Sequence, residues 1–399
     1  MTGAEATRLR RTPPHILTLV LLSGLGALSM NVFLPSLPGM ARDFGVDYAV
    51  MQLSVTVYLA GSALVQMIAG PLSDRYGRRP VMLVGLTTFL VATAGTLLAP
   101  SAGWFLAFRT LQAAVGTGMV LSRAIVRDMV EGDAAASRIG YVTMGMSVIP
   151  MMAPILGGLL DEAFGWRANF AMLLAAGAAA LALAWVDLGE TARGGLSMRA
   201  QMRGYPQLAR SGVFWGYALA ATFASGAFFA YLGGAPFVGE TVFHLRPAEV
   251  GYWFAAPSIG YLLGNFISGR FAARVGIDRM ILLGAWVTAL ALGAALAVTM
   301  AGALVPAVFF GAIALMGLGN GMVLPSATAG MMGVRPELAG TASGLGGAMA
   351  VAGGAGLAAL AGRFLVPGAG ATPLLCIMAL SAAASLGAII VVRRLRRPV

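Results

Sequence analysis

Twelve stretches of mostly apolar residues follow one another along this chain, each long enough to cross a lipid bilayer. A helix that spans a bilayer needs about 20 such residues. The stretches, numbered here as runs 1 to 12, are 16–37, 50–73, 80–99, 103–125, 139–160, 166–187, 213–233, 250–270, 279–300, 303–325, 340–362 and 371–392. They predict an all-α membrane protein with twelve transmembrane helices.

Charged residues are too scarce to coat a water-soluble particle of this size. Asp, Glu, Lys and Arg make up 10% of the 399 residues, and hydrophobic residues make up 59%. A soluble domain carries about a quarter charged residues. The lipid bilayer is therefore the expected solvent, and the 55 glycines suit helices that approach one another closely within it.

The arginines indicate which side of the membrane each loop faces. All 26 basic residues are Arg, and 21 of them fall on one side of the runs. Four arginines fall on the other side and Arg109 lies within run 4; the four are Arg42, Arg167, Arg246 and Arg363. The richer side should be cytoplasmic by the positive-inside rule. We expect a multi-pass protein of the bacterial inner membrane with both termini in the cytoplasm, and we assign the net charge of +11 to topology rather than to nucleic acid.

Cysteine and histidine are too few to form a metal centre. Cys376 is the single cysteine, and His15 and His244 are far apart in sequence. We therefore expect no disulfide within the chain, no metal site and no cofactor. The polar segment 1–15 precedes a run that is longer than a signal-peptide core, so we interpret run 1 as a retained span.

Two short repeats indicate that the chain is built from two related halves. GTGMVLS at 116–122 matches GNGMVLP at 319–325, and GPLSDRYG at 70–77 matches GRFAARVG at 269–276. The two offsets, 203 and 199, are nearly equal. We predict an N-terminal six-helix bundle at 1–187, a cytoplasmic linker at 188–212 and a C-terminal six-helix bundle at 213–399, related by a pseudo-two-fold axis. Parallel six-helix repeats with a substrate site near the midplane are a known transporter architecture.

The segment between runs 2 and 3 carries a recognisable signature. GPLSDRYGRRPVML at 70–83 resembles the loop 2–3 signature of the major facilitator superfamily. We expect Gly70 to let helices approach and Gly77 to allow a tight turn. Asp74 should face a helix N-terminus, whose partial positive charge favours an anion, near Gly340 and Thr341. The resemblance implies a conformational switch formed by residues of this signature and of run 5, namely Gly70, Asp74, Arg75, Gly77, Arg78, Pro150, Pro154, Gly157 and Gly158.

Three further segments resemble the Bcr/CflA subfamily of drug–proton antiporters. NVFLPSLPGMARDFG at 31–45 is similar to its Asp-x-Tyr-Leu-Pro-x-x-Pro pattern, and 108–129 carries its Arg-x-x-Gln pattern from Arg109 to Gln112. PMMAPILGG at 150–158 resembles the antiporter signature Gly-Pro-x-x-Gly-Gly, with Ala153 before the proline. Pro150 and Pro154 should bend the fifth helix. The resemblance implies drug efflux in exchange for protons.

One position departs from that pattern. The first residue of the run 1 pattern is usually acidic in the subfamily, and here it is Asn31. All 15 acidic residues of the chain lie in loops or near the ends of runs. A buried acid is the usual proton carrier in such antiporters. The sequence therefore supports export better than it supports a site for proton coupling.

Arg109 is the strongest single candidate for a functional residue. It lies about 9 Å into run 4 at 1.5 Å per residue, and Asn31 lies at a similar depth in run 1. An arginine at that depth should face protein or water rather than lipid. We expect the amide oxygen of Asn31 to accept a hydrogen bond from Arg109. The full set of predicted substrate or coupling residues is Asn31, Tyr58, Arg109, Gln112, Arg123 and Phe229.

The interpretation that these observations favour is a monomeric exporter of small apolar or neutral drug-like molecules. It would work by alternating access of two rocking bundles and exchange its substrate for protons. A facilitator or uniporter for a specific metabolite is the alternative, because Asn31 replaces the usual acid. An enzyme is disfavoured since the sequence shows neither a zinc-ligand pair nor a nucleophile elbow.

Overall fold

The computed structural model describes residues 14–129, 149–191, 205–335, 338–366 and 368–396. Twelve long helical segments occupy these residues, one for each predicted run. They are α1 (Ile16–Asn31, then Leu34–Ser36 and Leu37–Phe44), α2 (Tyr48–Tyr76), α3 (Arg78–Leu97), α4 (Ala102–Gln112, then Ala113–Val115 and Gly116–Met129), α5 (149–164), α6 (Arg167–Asp187), α7 (Gly212–Phe237, then Val238–Val242), α8 (Pro247–Trp253, then Ala255–Val275), α9 (Ile277–Met300), α10 (Pro306–Val334), α11 (Ala339–Arg363) and α12 (Thr372–Leu395).

Ten of the twelve segments are long and apolar enough to cross a membrane within the described part of the chain. The other two are α5, which is described over 149–164 alone, and α8. The second part of α8 carries polar side chains such as Asn265 and Arg270, which lower its apolar character. The prediction of an all-helical, twelve-span membrane protein is confirmed.

The first helix extends further than its run. The sequence predicts an end near residue 37, but the chain continues through the 3-10 turn Leu34–Ser36 and a helical stretch to Phe44. Pro35 and Pro38 each lie in the first turn of a helical stretch, where a missing N–H costs nothing. Gly45 ends the helix in the left-handed conformation with φ 63°. The amphipathic end of α1 thus projects beyond the apolar run.

Helix contacts follow the same pattern in the two halves of the chain. In the first half α1 packs on α4 and α6, α3 packs on α4 and α6, and α2 packs on α4. In the second half the equivalent pairs are α7 with α10 and α12, α9 with α10 and α12, and α8 with α10. Gly77 and Gly276, which match in the sequence repeat, precede α3 and α9 with φ of 101° and 90°. The repeat in sequence is therefore also a repeat in backbone conformation.

The ends of the helices form two faces. The N–H of His15 and the hydroxyl of Thr18 bind the Asp187 carboxylate at 2.9 and 2.5 Å, so the start of α1 and the end of α6 share a face. We call this the arginine-rich face, because most arginines lie on it. The other, called the opposite face, holds the ends of α1, α5 and α7. The two halves meet where α2 packs on α11 and where α5 crosses α8.

Candidate functional site

Arg109 lies fully buried among helices of the first half. Its Nη1 donates to the hydroxyl of Ser29 at 3.1 Å and to Oε1 of Gln112 at 2.7 Å, and its Nη2 donates to the carbonyl oxygen of Ser29 at 2.8 Å. Nε has no hydrogen-bond partner among the described residues. The described residues also supply no carboxylate to Arg109, so neutral acceptors and aromatic faces carry the whole stabilisation of this cation.

Two aromatic rings enclose the Arg109 guanidinium. Its Cζ lies 4.3 Å from the ring centroid of Phe33 and 4.1 Å from that of Tyr58. A cation over an aromatic face gains about 2 kcal/mol or more when both are removed from water. The Tyr58 hydroxyl donates to the carbonyl oxygen of Gly26 at 2.9 Å, which fixes its ring against α1. Tyr58, predicted as a substrate or coupling residue, therefore lies in direct contact with Arg109.

Gln112 connects Arg109 to α3. Its Nε2 donates to the hydroxyls of Thr93 at 2.8 Å and Thr96 at 3.4 Å, while its Oε1 accepts from Arg109. The 3-10 turn Ala113–Val115 begins directly after Gln112. A change of helix type within a span is common at functional positions. Together these contacts tie α1, α2, α3 and α4 to one buried cation.

The predicted hydrogen bond between Asn31 and Arg109 is wrong. Ser29, two residues earlier on α1, supplies both acceptors on that helix. The Asn31 amide instead turns back along its own helix, where Nδ2 donates to the carbonyl oxygen of Ala27 at 2.7 Å. Its Oδ1 is buried without a partner among the described residues. Depth alone could not distinguish the two residues, because the direction of a helical side chain also depends on its position around the axis.

Arg123 lies two turns beyond the 3-10 turn of α4 and is exposed in the described structure. Its electrostatic neighbour is Tyr261 of α8, in the other half. Asn265, one turn along α8, donates to the carbonyl oxygen of Tyr261 at 2.9 Å. Arg123 therefore lies at the cleft between the halves, on the side of the arginine-rich face, and its role in substrate contact or coupling stays a prediction.

Phe229 belongs to an aromatic cluster on α7. Its ring centroid lies 5.8 Å from that of Phe228, which lies 6.3 Å from Tyr231. Tyr231 lies 5.1 Å from Phe254 of α8 and buries a hydroxyl that has no partner among the described residues. A Cβ at Gly354 of α11 would meet the Phe229 ring. Phe229 is half-buried, so contact with a substrate there stays a prediction.

The loop signature builds a network at the arginine-rich face. Arg78 pairs with Asp74 and, through Nε at 2.9 Å, with Asp128 at the end of α4. Its Nη1 also donates to the hydroxyl of Ser73 at 2.5 Å. Arg78 is almost fully buried, so these partners offset the cost of removing its charge from water. Asp74 thus has its ion pair within its own half; its predicted approach to the start of α11 near Gly340 and Thr341 stays a prediction.

The signature residues Gly77, Arg75 and Gly70 differ in their surroundings. Gly77 has φ 101°, which confirms the tight turn, and a Cβ there would meet the carboxylate of Glu190. Glu190 accepts from the backbone N–H of Arg78 at 2.9 Å. The guanidinium of Arg75 lies 5.2 Å from the ring centroid of Tyr76. A Cβ at Gly70 would meet no atom of the described residues within 4 Å, so the close helix approach predicted there is not seen among them.

Gly157 and Gly158 of α5, named above as switch residues, lie at close helix crossings. A Cβ at Gly157 would meet the carbonyl of Val32 on α1, and one at Gly158 would meet the carbonyl of Pro247 at the start of α8. Conversely, a Cβ at Gly251 of α8 would meet the carbonyl of Pro154. The crossing of α5 and α8 thus requires glycine on both helices. Pro150 and Pro154 both lie within helix 149–164, and the bend predicted for them stays a prediction.

Hydrogen bonds that join the two halves occur at the opposite face. Arg42 pairs with Glu240, and the backbone N–H of Ala248 donates to Glu162 at 3.1 Å. Two further bonds start from α2. The Tyr48 hydroxyl donates to the carbonyl oxygen of Gly233 at 2.5 Å, and the Gln52 amide donates to the carbonyl oxygen of Ala358 at 2.7 Å. Sequence reasoning missed Gln52, Tyr48 and Ser29. For Gln52 and Ser29 the available signal was a polar residue within an apolar run, whereas Tyr48 lies just before run 2.

An open apolar groove with a volume of about 260 Å³ lies between α1 and α5, and Met152, Leu156 and Leu159 on its wall are exposed. Among the described residues, no polar atom contributes to its surface. Its lining residues are Leu28, Ile149, Met152, Ala153, Ile155, Leu156 and Leu159. Leu28 directly precedes Ser29, the α1 residue that binds Arg109, so the groove adjoins that segment of α1. Such a surface suits the apolar part of a small molecule.

Family comparisons agree with this architecture. Residues 19–246, more than half of the chain, match the family described as Major Facilitator Superfamily, and residues 212–395 match the family described as PUCC protein. In the solved structures, a bacterial homolog of the human lysosomal transporter Spinster matches with a TM-score of 0.76 and 18% identity, over 95% of this chain and 96% of that one. That likeness shows the fold.

Three bacterial relatives are similar in sequence. The uncharacterised MFS-type transporter YdgK of Bacillus subtilis is 33% identical over 63% of this chain and 64% of its own length. A bicyclomycin resistance protein homolog of Haemophilus influenzae is 29% identical over 67% and 68%. A chloramphenicol resistance protein of Pseudomonas aeruginosa is 33% identical over 67% and 65%. The chain thus matches about two thirds of each relative's length. With its twelve membrane helices, its repeated halves and its loop signature, the chain belongs to the major facilitator superfamily, and it is a multi-pass membrane transporter rather than an enzyme.

Proposed function

We propose that this transporter exports small, largely apolar and neutral drug-like molecules, such as chloramphenicol or bicyclomycin, by alternating access. The main supporting observation is the fully buried Arg109, a cation within the spans of the first half that has no carboxylate beside it among the described residues. The open apolar groove beside α1 is consistent with the same substrate class. Relatives whose names state bicyclomycin and chloramphenicol resistance add to it.

In this proposal two bundles, 1–187 and 213–399, rock about the substrate site, joined by the linker 188–212. The arginine-rich face lies in the cytoplasm of a bacterial cell, by the positive-inside rule. The contacts Arg42–Glu240 and Glu162–Ala248 then close the periplasmic side, so the described conformation faces inward. The transporter works as a monomer in the inner membrane.

Proton exchange is the proposed source of energy. Asn31 cannot titrate, and its Oδ1 lacks a hydrogen-bond partner among the described residues. Coupling must therefore use acids near a helix end, such as Asp128 at the arginine-rich face or Asp161 at the opposite face. Both lie where water can exchange protons with them.

Efflux from cells tests the export proposal. A drug-sensitive strain that expresses the transporter should accumulate less chloramphenicol than the same strain with the Arg109→Ala variant at equal membrane abundance. Adding a protonophore should abolish the difference. Equal accumulation in both strains, for chloramphenicol and bicyclomycin alike, would contradict drug export.

The alternative function is downhill transport of a specific metabolite. It is favoured by one observation, the replacement of the usual acid by Asn31. Export that continues unchanged in the presence of the protonophore, and that never exceeds the equilibrium distribution, would support this alternative.

A further inference from the structure

The side chain of Gln52 crosses from the first half into the second. It lies on α2, is fully buried, and its Nε2 donates to the carbonyl oxygen of Ala358 on α11 at 2.7 Å. One turn earlier, the Tyr48 hydroxyl donates to the carbonyl oxygen of Gly233 on α7, and its ring lies 5.1 Å from that of Phe237. A single turn of α2 therefore contacts two helices of the other half.

The Gln52 amide packs against two glycines of the second half, Gly233 and Gly362, which we call its seat. A Cβ at Gly233 would lie 3.0 Å from Cδ of Gln52, and a Cβ at Gly362 would lie 2.7 Å from the same atom. Carbon atoms in contact are normally about 3.5–4.0 Å apart. Any other residue at either position would displace the amide.

Gly362 also explains how Gln52 reaches its acceptor. In a helix the Cα–Cβ bond tilts toward the N-terminus, so a side chain covers the turn before it. A side chain at 362 would therefore cover the carbonyl of Ala358, four residues earlier. Glycine leaves that carbonyl oxygen accessible for a second hydrogen bond in addition to its bond within the helix.

The amide is only partly satisfied. Oε1 of Gln52 is buried and has no hydrogen-bond partner among the described residues. An amide can accept two hydrogen bonds through this oxygen, so burying it unpaired costs free energy. Because the amide makes one hydrogen bond and leaves one acceptor unpaired, this contact stabilises the association of the two halves only weakly, and the halves can separate.

We propose that Gln52 is a positioning residue of the transport cycle, which holds the opposite face closed by docking into the seat formed by Gly233 and Gly362. The proposal rests on the alternating-access function proposed above. When that face opens, Gln52 must leave the seat. The strength of this contact then sets the balance between the conformation that is closed at the opposite face and the one that is open there.

Distances between spin labels test the proposal without any substrate. Labels at Gly103→Cys and Ala301→Cys, one exposed site of each half near the opposite face, are introduced in a Cys376→Ser background. Electron paramagnetic resonance on the full chain in nanodiscs then gives the ratio of short to long distances. Gln52→Leu keeps the volume but removes the donor, and it should lower the short-to-long ratio about two- to tenfold, as expected for one net hydrogen bond.

Alanine substitutions at two glycines of α11 distinguish an effect on the seat of Gln52 from a general effect on this helix. Gly362→Ala should lower the ratio, whereas Gly356→Ala should leave it unchanged, because a Cβ at 356 meets no atom of the described residues within 4 Å. Gly356 lies inside α11 and Gly362 in its last turn, so the gain in helix propensity at 356 is at least as large as that at 362. In the Gln52→Ala background, Gly362→Ala should have a smaller effect than in the native background, since the methyl group then occupies vacated space.

The outcomes are distinguishable from those of the export experiment. Native distances in Gln52→Leu and Gly362→Ala, both folded by size-exclusion chromatography, would overturn the proposal even if drug efflux is confirmed. An altered ratio in these two variants with native distances in Gly356→Ala supports it, whatever the substrate. If Gly362→Ala fails to fold, Gln52→Leu alone decides between the two results.

Discussion

At the scale of single residues, the first half supplies every described contact of Arg109. Ser29, Tyr58, Phe33 and Gln112 come from α1, α2 and α4, and each belongs to the same bundle. The cation therefore keeps its partners when the halves move relative to each other. Its positive charge is a fixed property of the first half rather than a contact that forms and breaks during transport.

We expect Gln112→Leu to weaken this bundle. The change leaves the Arg109 guanidinium and the Thr93 hydroxyl each without one partner, which should lower the free energy of unfolding by about 1–3 kcal/mol. Thermal unfolding in detergent measures the effect. Gln66→Leu, at a half-buried glutamine of α2, is the control and should leave stability close to native. Equal stability of both variants would mean that the network around Arg109 contributes little.

Asn31→Asp should introduce a dependence of efflux on pH. The native amide cannot titrate, whereas a carboxyl group at this position gains and loses a proton within a bundle whose fixed charge is Arg109. Efflux measured from about pH 6 to 8 in inverted vesicles, the range around neutrality, should change in shape for Asn31→Asp but not for Asn31→Leu. Position 31 is not a proton switch if native transport is already steeply proton-driven and Asn31→Asp leaves its profile unaltered.

At the scale of helices, the crossing of α5 and α8 depends on glycine. We expect Gly251→Ala to push the two helices apart, since its Cβ would lie 3.0 Å from the carbonyl carbon of Pro154. In the spin-labelled background described above, the ratio of long to short distances at the opposite face should rise about threefold or more. A change of less than about 1 kcal/mol in the free-energy difference between the two conformations is enough for that. Gly269→Ala, on the same helix with open space around it, should behave as native. An identical response of the two variants would contradict this role of the crossing.

Helix positions could be predicted from the sequence, but partners within the bundle could not. The twelve runs follow from apolar length alone, and Gly77 follows from a loop that must turn sharply. Asn31 and Ser29 lie at nearly the same depth, so only the rotation of α1 about its axis decides which one faces Arg109. The contacts of Gln52 depend on how α7 and α11 approach α2, and these two helices come much later in the chain.

At the scale of the whole molecule, the distribution of charge should govern which substrates pass. Arg109 and Arg123 lie inside the bundle or at the cleft, while the acids of the described spans lie near helix ends. A second cation about 8 Å from an arginine is disfavoured by about 2 kcal/mol at an effective dielectric constant near 20, or more than about tenfold in affinity. Chloramphenicol should therefore be exported in preference to ethidium or tetraphenylphosphonium.

Arg123→Gln tests the part of this preference that belongs to the cleft. The variant should improve export of ethidium relative to chloramphenicol by severalfold, because it removes the exposed cation opposite Tyr261. Arg210→Gln, at an exposed arginine outside the spans, should leave the ratio unchanged. Strong export of ethidium by the native protein, with none of chloramphenicol, would reverse the predicted selectivity.

The cluster of cross-half contacts at one end of α2 has a mechanical consequence. This helix has 29 residues, so its far end lies about 42 Å from Tyr48 at 1.5 Å per residue. If the Tyr48–Gln52 end acts as a fulcrum, a tilt of about 10° moves the other end by about 7 Å, the width of a small drug molecule. A small movement of α2 at its contacts near the opposite face can thus open a wide entrance between the halves at the arginine-rich face.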